Sequence, residues 1–272
     1  RLDHFVQYAV AAAIMAVADA GLASGNPSPV THHNRSLVSA GVIIGSSRGG
    51  IHTVEREIER LRRGAFRVSP YTMPSSTVNM AAAAVAWKLG IKGHCLGISN
   101  ACTSGANALG EAFRLIKSGY LRLALAGGSE ALLGRLCVAG YGNMGALSKK
   151  TLLPGKRPGV PRPFDTARDG FVLAEGASVL VVEDLESAIG REAKIYAEIA
   201  GYGNTCDAFH MTKPDPDGEM RAMRMAMEEA ETTPNDVDYI NTHGTATEIG
   251  DVAEAGAIKT VFGRRSSAIA AS

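Results

Sequence analysis

Cys102 lies in GISNACTSGANALG (97–110), between an apolar run and a stretch of small residues. After it, Ala108, Leu109, Ala112, Phe113, Leu115 and Ile116 recur at helical spacing, and the pattern closes at Gly119. The thiol therefore stands where a buried strand gives way to a helix N-terminus. Unpaired N–H groups and the positive end of the helix dipole favour a thiolate there. Thr103, Ser104 and Gly105 are small enough to let a substrate approach. Two readings are open at this point: a nucleophile, or a core filler, because free cysteine is among the most buried residue types. Cys95, inside the same apolar run, reads as core, and Cys137 and Cys206 have no comparable setting.

His243 follows an apolar segment and opens a loop of small polar residues, NTHGTAT (241–247). A histidine at the C-terminal end of a strand can donate a hydrogen bond to a developing oxyanion. The other reading is a structural residue bonded to loop carbonyls, but the small, polar flanking residues favour the first. In RPFDTARDGFVLAEGA (162–177), Arg162, Asp165, Arg168, Asp169 and Glu175 crowd together. Their types would allow a carboxylate pair for acid–base work, but a salt-bridge network tying a loop to the core is the reading we favour. Asp207 and His210 in GNTCDAFHMTKPDPDG (203–218) make two possible ligands, too few for a metal signal, and read as loop-ordering groups. GSSRGG (45–50) has neither G-x-G-x-x-G spacing nor a P-loop lysine, so no phosphate cradle is expected. REIERLRRGAFR (56–67) ends in purely basic residues that could dock an acidic partner, although charged helix faces are usually only solvated.

The elements that must position these groups alternate along the chain. A helix is expected over 4–21, a loop over 26–34, a buried strand over 40–46 and a charged helix over 53–63. A loop, VSPYTMPSSTVNM (68–80), leads through Pro74 and Ser75 into a helix that reaches Leu89. Then come a strand buried on both faces (94–101), the helix after Cys102 and a strand over 121–130. Further strands are expected over 177–188, 194–203 and from 237. Helices are expected around Met220, Met223 and Met227, and over 250–262. The stretch 149–165 reads as a long surface crossing. Alternating strand and helix predicts an α/β fold with largely parallel sheets, with functional groups at strand C-termini.

The chain has 272 residues, with 46% hydrophobic residues and a net charge of +1. That excludes a disordered chain and gives no global pull towards nucleic acid. No uninterrupted apolar run approaches the length of a membrane span. Four cysteines without CxxC spacing point to a reducing compartment. We therefore expect a cytoplasmic protein, or one of a plastid or mitochondrial matrix if the source is eukaryotic. The chain starts with Arg1 and stops in what reads as a strand, so a piece of a longer chain is expected.

Taken together, NACTSGANALG and NTHGTATEIGD resemble the condensing enzymes, specifically the elongating type II class of β-ketoacyl-acyl-carrier-protein synthases. RPFDTARDGFVLAEGA, DAFHMTKPDPDG and VSPYTMPSSTVNM are similar to family signatures as well, in family order and spacing. The resemblance covers nearly the whole chain. It implies a thiolase-like α/β fold in five layers (α/β/α/β/α), here incomplete, with 1–185 in the N-terminal half and 186–272 opening the C-terminal half. It implies that Cys102 takes an acyl group from acyl carrier protein as a thioester. A malonyl-carrier protein then decarboxylates, and its carbanion attacks that thioester. His243 would stabilise the enolate, and the backbone N–H of Cys102 would belong to an oxyanion hole.

The same resemblance places Thr245 and Thr247 on the phosphopantetheine arm and Tyr141 and Arg48 at the acyl pocket. It places Asp251 and Glu254, with Asp207 and His210, in loop-holding or ion-binding positions. Arg62, Arg63, Arg67, Lys149 and Lys150 would dock the carrier protein. It implies a homodimer, with no bound cofactor beyond the carrier's own arm, no metal, no nucleic-acid partner and no membrane span. Three features depart from the pattern. The family's K-S-x-x-G-H motif would fall beyond Ser272. Arg48 stands where an aliphatic residue is usual, which points to a shorter or more polar acyl chain. Gly145 stands in place of a basic docking residue. Two other classes remain in view: a non-catalytic chain-length-factor subunit, against which Cys102 and His243 argue, and a thiolase acting on coenzyme A esters, which the NTHGTAT loop fits poorly.

Overall fold

A computed structural model describes residues 2–22, 35–149 and 161–272. Among them the helices are α1 (His4–Asp19), α2 (Arg35–Val38), α3 (Ile51–Arg62), α4 (Thr72–Ser76) and α5 (Met80–Leu89), followed by α6 (Ser104–Lys117), α7 (Arg135–Asn143), α8 (Leu185–Gly190), α9 (Pro216–Glu229) and α10 (Glu248–Phe262). The strands are β1 (Gly41–Gly45), β2 (Cys95–Ile98), β3 (Leu123–Glu130), β4 (Gly176–Glu183), β5 (Tyr239–Ile240) and β6 (Ala270–Ala271). The chain forms two compact units, Arg1–Leu136 with Ala174–Glu198, and Cys137–Leu173 with Ile199–Ser272.

The first unit is built on a four-stranded sheet of order β2-β1-β3-β4. β1 runs parallel to β2 and to β3, and β4 returns antiparallel to β3. Side chains alternate across a strand. Val42 and Ile44 of β1 therefore point into a cluster with Phe5, Val6, Ala9, Ala13 and Val17 of α1 and Ala81, Ala82 and Val85 of α5. Ile43 faces the opposite cluster with Ala108 and Ala112 of α6 and Ala124 and Ala126 of β3. All three β1 side chains are fully buried, each stabilising the unit by roughly 1.5–3 kcal/mol. Alanines on the facing helices let the layers approach closely. Polar bonds tie α1 to α3: buried Asp3 accepts from the Thr53 amide at 2.8 Å and from its hydroxyl at 2.6 Å.

In the second unit, α9 and α10 pack together, with Ala253, Ala257 and Phe262 of α10 buried. β5 and β6 form a short parallel pair. α9 starts on Asp215, whose carboxylate caps the Asp217 amide.

Several sequence expectations need correction. The strand before Cys102 is not buried on both faces: β2 ends the sheet order and is exposed or half-buried along its length. Cys95 is accordingly exposed rather than core, although partial burial still raises its thiol pKa. The strand expected over 177–188 ends at Glu183 and gives way to α8, where Asp184 caps the Ser187 amide. No strand is assigned over 194–203. There Gly201 and Gly203 lie against the α9 backbone instead, so close that a Cβ would come within 2.2 Å and 1.9 Å of Ala226 and Ala222 carbonyl oxygens. The segment from 237 contributes only a two-residue strand. Loop 26–34 and most of the 149–165 crossing lie outside the described residues.

Candidate active site

The turn carrying Cys102 is fixed on three sides. Ser104 accepts from the Asn100 amide at 2.8 Å and donates to the Ala101 carbonyl at 2.7 Å. Thr103 donates its hydroxyl to the Asn100 carbonyl at 2.8 Å. Ala101 sits at φ 47°, a left-handed conformation that costs a non-glycine residue energy and turns the chain sharply before α6. Below the turn, glycines of the sheet receive the helix. A Cβ on Gly45 would lie 2.2 Å from the Ser104 carbonyl oxygen, and Gly105 stacks on Gly128. α6 therefore begins directly over the C-terminal ends of β1 and β3. Cys102, two residues before α6, is exposed. This arrangement presents a sulfur at a helix N-terminus, where backbone N–H groups can stabilise a thiolate and a developing oxyanion.

His243 belongs to the second unit, and carboxylates hold its loop. Glu254 of α10 accepts from the His243 amide at 2.6 Å and from the Gly244 amide at 2.9 Å. Asp251, 2% exposed, accepts from the Phe164 amide at 2.6 Å and faces Arg168 Nε at 3.4 Å. Arg168 reaches the Thr247 and Glu248 carbonyls at 3.2 Å and 2.9 Å, and the Gly170 amide donates to Ala246 at 2.8 Å. Segment 163–170 thus clamps the loop through backbone and guanidinium bonds. Thr247 caps α10 through the Gly250 amide, and its hydroxyl lies 2.8 Å from that of Thr245. The His243 side chain itself is exposed.

The remaining candidates fall as follows. Tyr141, on α7, packs edge-on against Phe171 with ring centroids 5.6 Å apart. Arg48 is exposed in the β1–α3 loop. Beside it the Glu130 carboxylate accepts from Ser46 and from the Ser47 amide at 2.6 Å, an acidic setting that no phosphate would choose. Asp207 accepts from the Phe209 and Asp215 amides, and His210 from the Thr212 amide at 3.1 Å. Each of these two side chains orders its own loop. Arg62, Arg63, Arg67 and Lys149 are exposed, with Arg63 paired to Glu59 at 2.8 Å. Lys150 lies outside the described residues. Gly145 adopts φ 71° after α7, a conformation that favours glycine over the basic residue expected there. The charged residues of 162–177 split between two sets: Arg168 joins Asp251, whereas Glu175 joins His52.

Sequence reasoning passed over Glu219 of α9. One of its carboxylate oxygens is buried without a hydrogen-bond partner. Burial, with Glu254 and Asp207 nearby, pushes its pKa up to about 7 against the opposing pull of His243. The only signal in the sequence was a charged residue beside Met220 in an expected helix.

Comparison with known proteins agrees with this geometry. The model of the beta-ketoacyl synthase N-terminal domain matches residues 1–188, and that of the C-terminal domain matches 196–272. The chain is 43% identical over 266 residues to 3-oxoacyl-[acyl-carrier-protein] synthase 2 of Staphylococcus aureus (strain N315), covering 97% of this chain and 61% of that protein. It is 41% identical over 275 residues to the protein of the same name from Synechocystis, covering 64% of it. The chain thus spans less than two thirds of the curated relatives it matches. Among solved structures, a beta-ketoacyl synthase from Burkholderia phymatum matches with a TM-score of 0.86 at 37% identity, over 96% of this chain and 62% of that one. A type II PKS ketosynthase, in complex with its acyl-carrier protein and bound to the hexaketide, matches with a TM-score of 0.89 at 33% identity, over 98% and 65%. The expected thiolase-like α/β class is therefore the observed one, and the chain belongs to the beta-ketoacyl synthase family.

Proposed function

We propose that this chain carries the nucleophile and one oxyanion donor of a 3-oxoacyl-[acyl-carrier-protein] synthase acting in fatty-acid or type II polyketide synthesis. The observation that carries the reading is an exposed Cys102 on a strained turn at the head of α6. The Cys102 thiolate attacks the carbonyl of an acyl thioester on the carrier protein. A new S–C bond forms and the carrier's phosphopantetheine thiol leaves. Malonyl-carrier protein then loses CO2. The enolate carbon attacks the Cys102 thioester, a C–C bond forms, and the cysteine sulfur is released as the leaving group. The product, a β-ketoacyl chain two carbons longer, remains on the carrier. His243 donates to the malonyl thioester oxygen while negative charge develops there. Thr245 and Thr247 orient the pantetheine arm, and Tyr141 and Arg48 bound the acyl chain, the latter favouring a short or polar one.

In the same reading Asp251 and Glu254 hold the His243 loop, and Asp207 and His210 order theirs. The exposed bases Arg62, Arg63, Arg67 and Lys149, together with Lys150, meet the acidic carrier. The protein brings no cofactor of its own, because the reactive thioester arrives on the carrier's arm. Residues 1–185 make up most of the N-terminal thiolase-like half and 186–272 the beginning of the C-terminal one, a division supported by the neighbouring bounds of the two family models. The free outer edge of β2 among the described residues supports a homodimer, since an unpaired edge is a template for another strand. We place the enzyme in the cytoplasm, or in a plastid or mitochondrial matrix if the source is eukaryotic; among the described residues no helix is long and apolar enough to cross a membrane.

The test is acyl-adduct mass spectrometry on the complete protein after incubation with acyl-carrier protein. We expect one acyl mass on the peptide containing Cys102 and none in Cys102→Ala. An adduct that survives Cys102→Ala overturns the reading. His243→Ala should keep the adduct and lose CO2 release from malonyl-carrier protein.

A further inference from the structure

Away from Cys102 and His243, three side chains from distant parts of the first unit converge. His4 opens α1, His52 lies in the first turn of α3, and Glu175 immediately precedes β4. One ligand atom from each lies within 4.8 Å of the others, the one such group among the described residues. His52 Nε2 is 3.0 Å from Glu175 Oε1, and the His4 and His52 rings stand 5.2 Å apart at a tilt of 47°. Glu175 is oriented by further donors: the Leu133 amide at 2.8 Å on Oε1 and the Tyr8 hydroxyl at 3.2 Å on Oε2. Burial works against its charge, but the bonds from His52, Leu133 and Tyr8 outweigh it and hold the carboxyl below its usual pKa range. His52 and Glu175 expose only 20% and 14% of their side chains, while His4 is exposed and gives access from solvent.

We propose that His4, His52 and Glu175 form a zinc-binding site that staples α1, α3 and the approach to β4. Two imidazoles and a carboxylate are a donor set that zinc favours, with a fourth position left to water. In a tetrahedral complex with bonds of about 2.1 Å, ligand atoms stand about 3.4 Å apart. The widest separation, within 4.8 Å, must therefore close by little more than an ångström, a shift that the exposed His4 side chain can supply, while His52 Nε2 and Glu175 Oε1, now 3.0 Å apart, must open by about 0.4 Å. On binding, the metal takes the Nε2 lone pair of His52, and a proton carried on that nitrogen leaves as the Zn–N bond forms. Glu175 keeps its bonds from Leu133 and Tyr8, which act as the outer support that oriented ligands need. The site is independent of the condensing chemistry, so its test does not depend on activity.

The experiment loads the complete protein with Zn2+, removes loosely held metal by gel filtration, and measures zinc per chain. Melting temperature is recorded in Zn2+ and in chelator. The wild-type protein should retain one zinc per chain and melt higher in Zn2+ than in chelator, because ligand binding to the folded state alone stabilises it. His4→Gln and His52→Gln should each weaken zinc binding by at least about 100-fold, beyond what loss of an outer support costs, and should lose the zinc-dependent rise in melting temperature. His4→Gln should melt like the wild type in chelator, which separates lost ligation from lost folding. If the wild type retains no more zinc than His4→Gln, the proposal is overturned. It is equally overturned if retained zinc disappears with Cys102→Ala rather than with the histidine variants, because the thiol then holds the metal.

Discussion

At the Cys102 turn, backbone meets backbone: Gly45 admits the Ser104 carbonyl and Gly105 rests on Gly128, with the hydroxyls of Thr103 and Ser104 closing the turn. At the His243 loop the same task falls to charge: Glu254 holds two amides, and Asp251 holds a third and faces Arg168. One functional group is thus placed by close packing over a sheet and the other by carboxylates on a helix. Packing responds to volume and is indifferent to pH. Charge-assisted bonds respond to protonation and are costly to break when buried. The contrast follows from what each region contains. The first unit has a four-stranded sheet on which glycines can seat a helix, whereas the described part of the second has only the short β5–β6 pair beside α9 and α10.

The strongest way to break this contrast is Asp251→Ala. It strips a 2% exposed carboxylate from Arg168 and from the Phe164 amide. We expect a loss of about 3 kcal/mol, the low end for a broken buried pair, because Arg168 keeps its carbonyl partners. Amide hydrogen exchange should speed up over 242–247 and stay unchanged over 100–104. Acceleration at both would mean that the two regions are one cooperative structure. The converse variant is Gly45→Ala, whose Cβ would meet backbone at 2.2 Å. It should cost about 1–3 kcal/mol by overpacking and should loosen 100–104 alone. A neutral melting temperature would show that α6 can shift freely, and the packing account of Cys102 would fall.

The smallest expected effect is one of pH. The carboxyl of Glu219 has its pKa raised from an ordinary 4.5 to about 7, by burial first and by Glu254 and Asp207 next, with His243 opposing. A group that binds its proton more tightly when folded adds stability that is complete below 4.5 and is lost as pH rises through about 7. Raising the pH from about 5 to about 8 should therefore lower amide protection, measured relative to the intrinsic base-catalysed exchange rate at each pH, in the His243 loop but not in the Cys102 turn. Glu219→Gln should flatten that response. A variant with the wild-type pH profile would assign the effect to another group.

Much of the candidate site was legible before any fold was known. Cys102 is followed by apolar residues at helical spacing, and His243 follows a short apolar run. Both signals arise from the period of the backbone itself and span only a few residues. The resemblance to family motifs added the proposed roles. What escaped was everything that depends on which segment becomes whose neighbour. β2 (CLGI) is free of charged residues like β1 (GVIIG), yet one ends the sheet and the other lies inside it. Segment 194–203 reads as a strand, yet no strand forms there, and Gly201 and Gly203 lie against α9 instead. Glu175 reads as one charge of a local network, yet its partner is His52, 123 residues away in sequence.

The sequence by itself determined the α/β alternation, the strand-to-helix turn that presents Cys102 and the polar loop that presents His243. Periodicity and turn chemistry are local properties, written within a dozen residues. Only the tertiary structure decided the open edge of β2, the carboxylate clamp on the His243 loop, the buried carboxyl of Glu219 and the meeting of His4, His52 and Glu175. Those depend on strand order and on helices crossing far-separated segments. Burial and charge pairing follow from that assembly and not from the order of the residues along the chain.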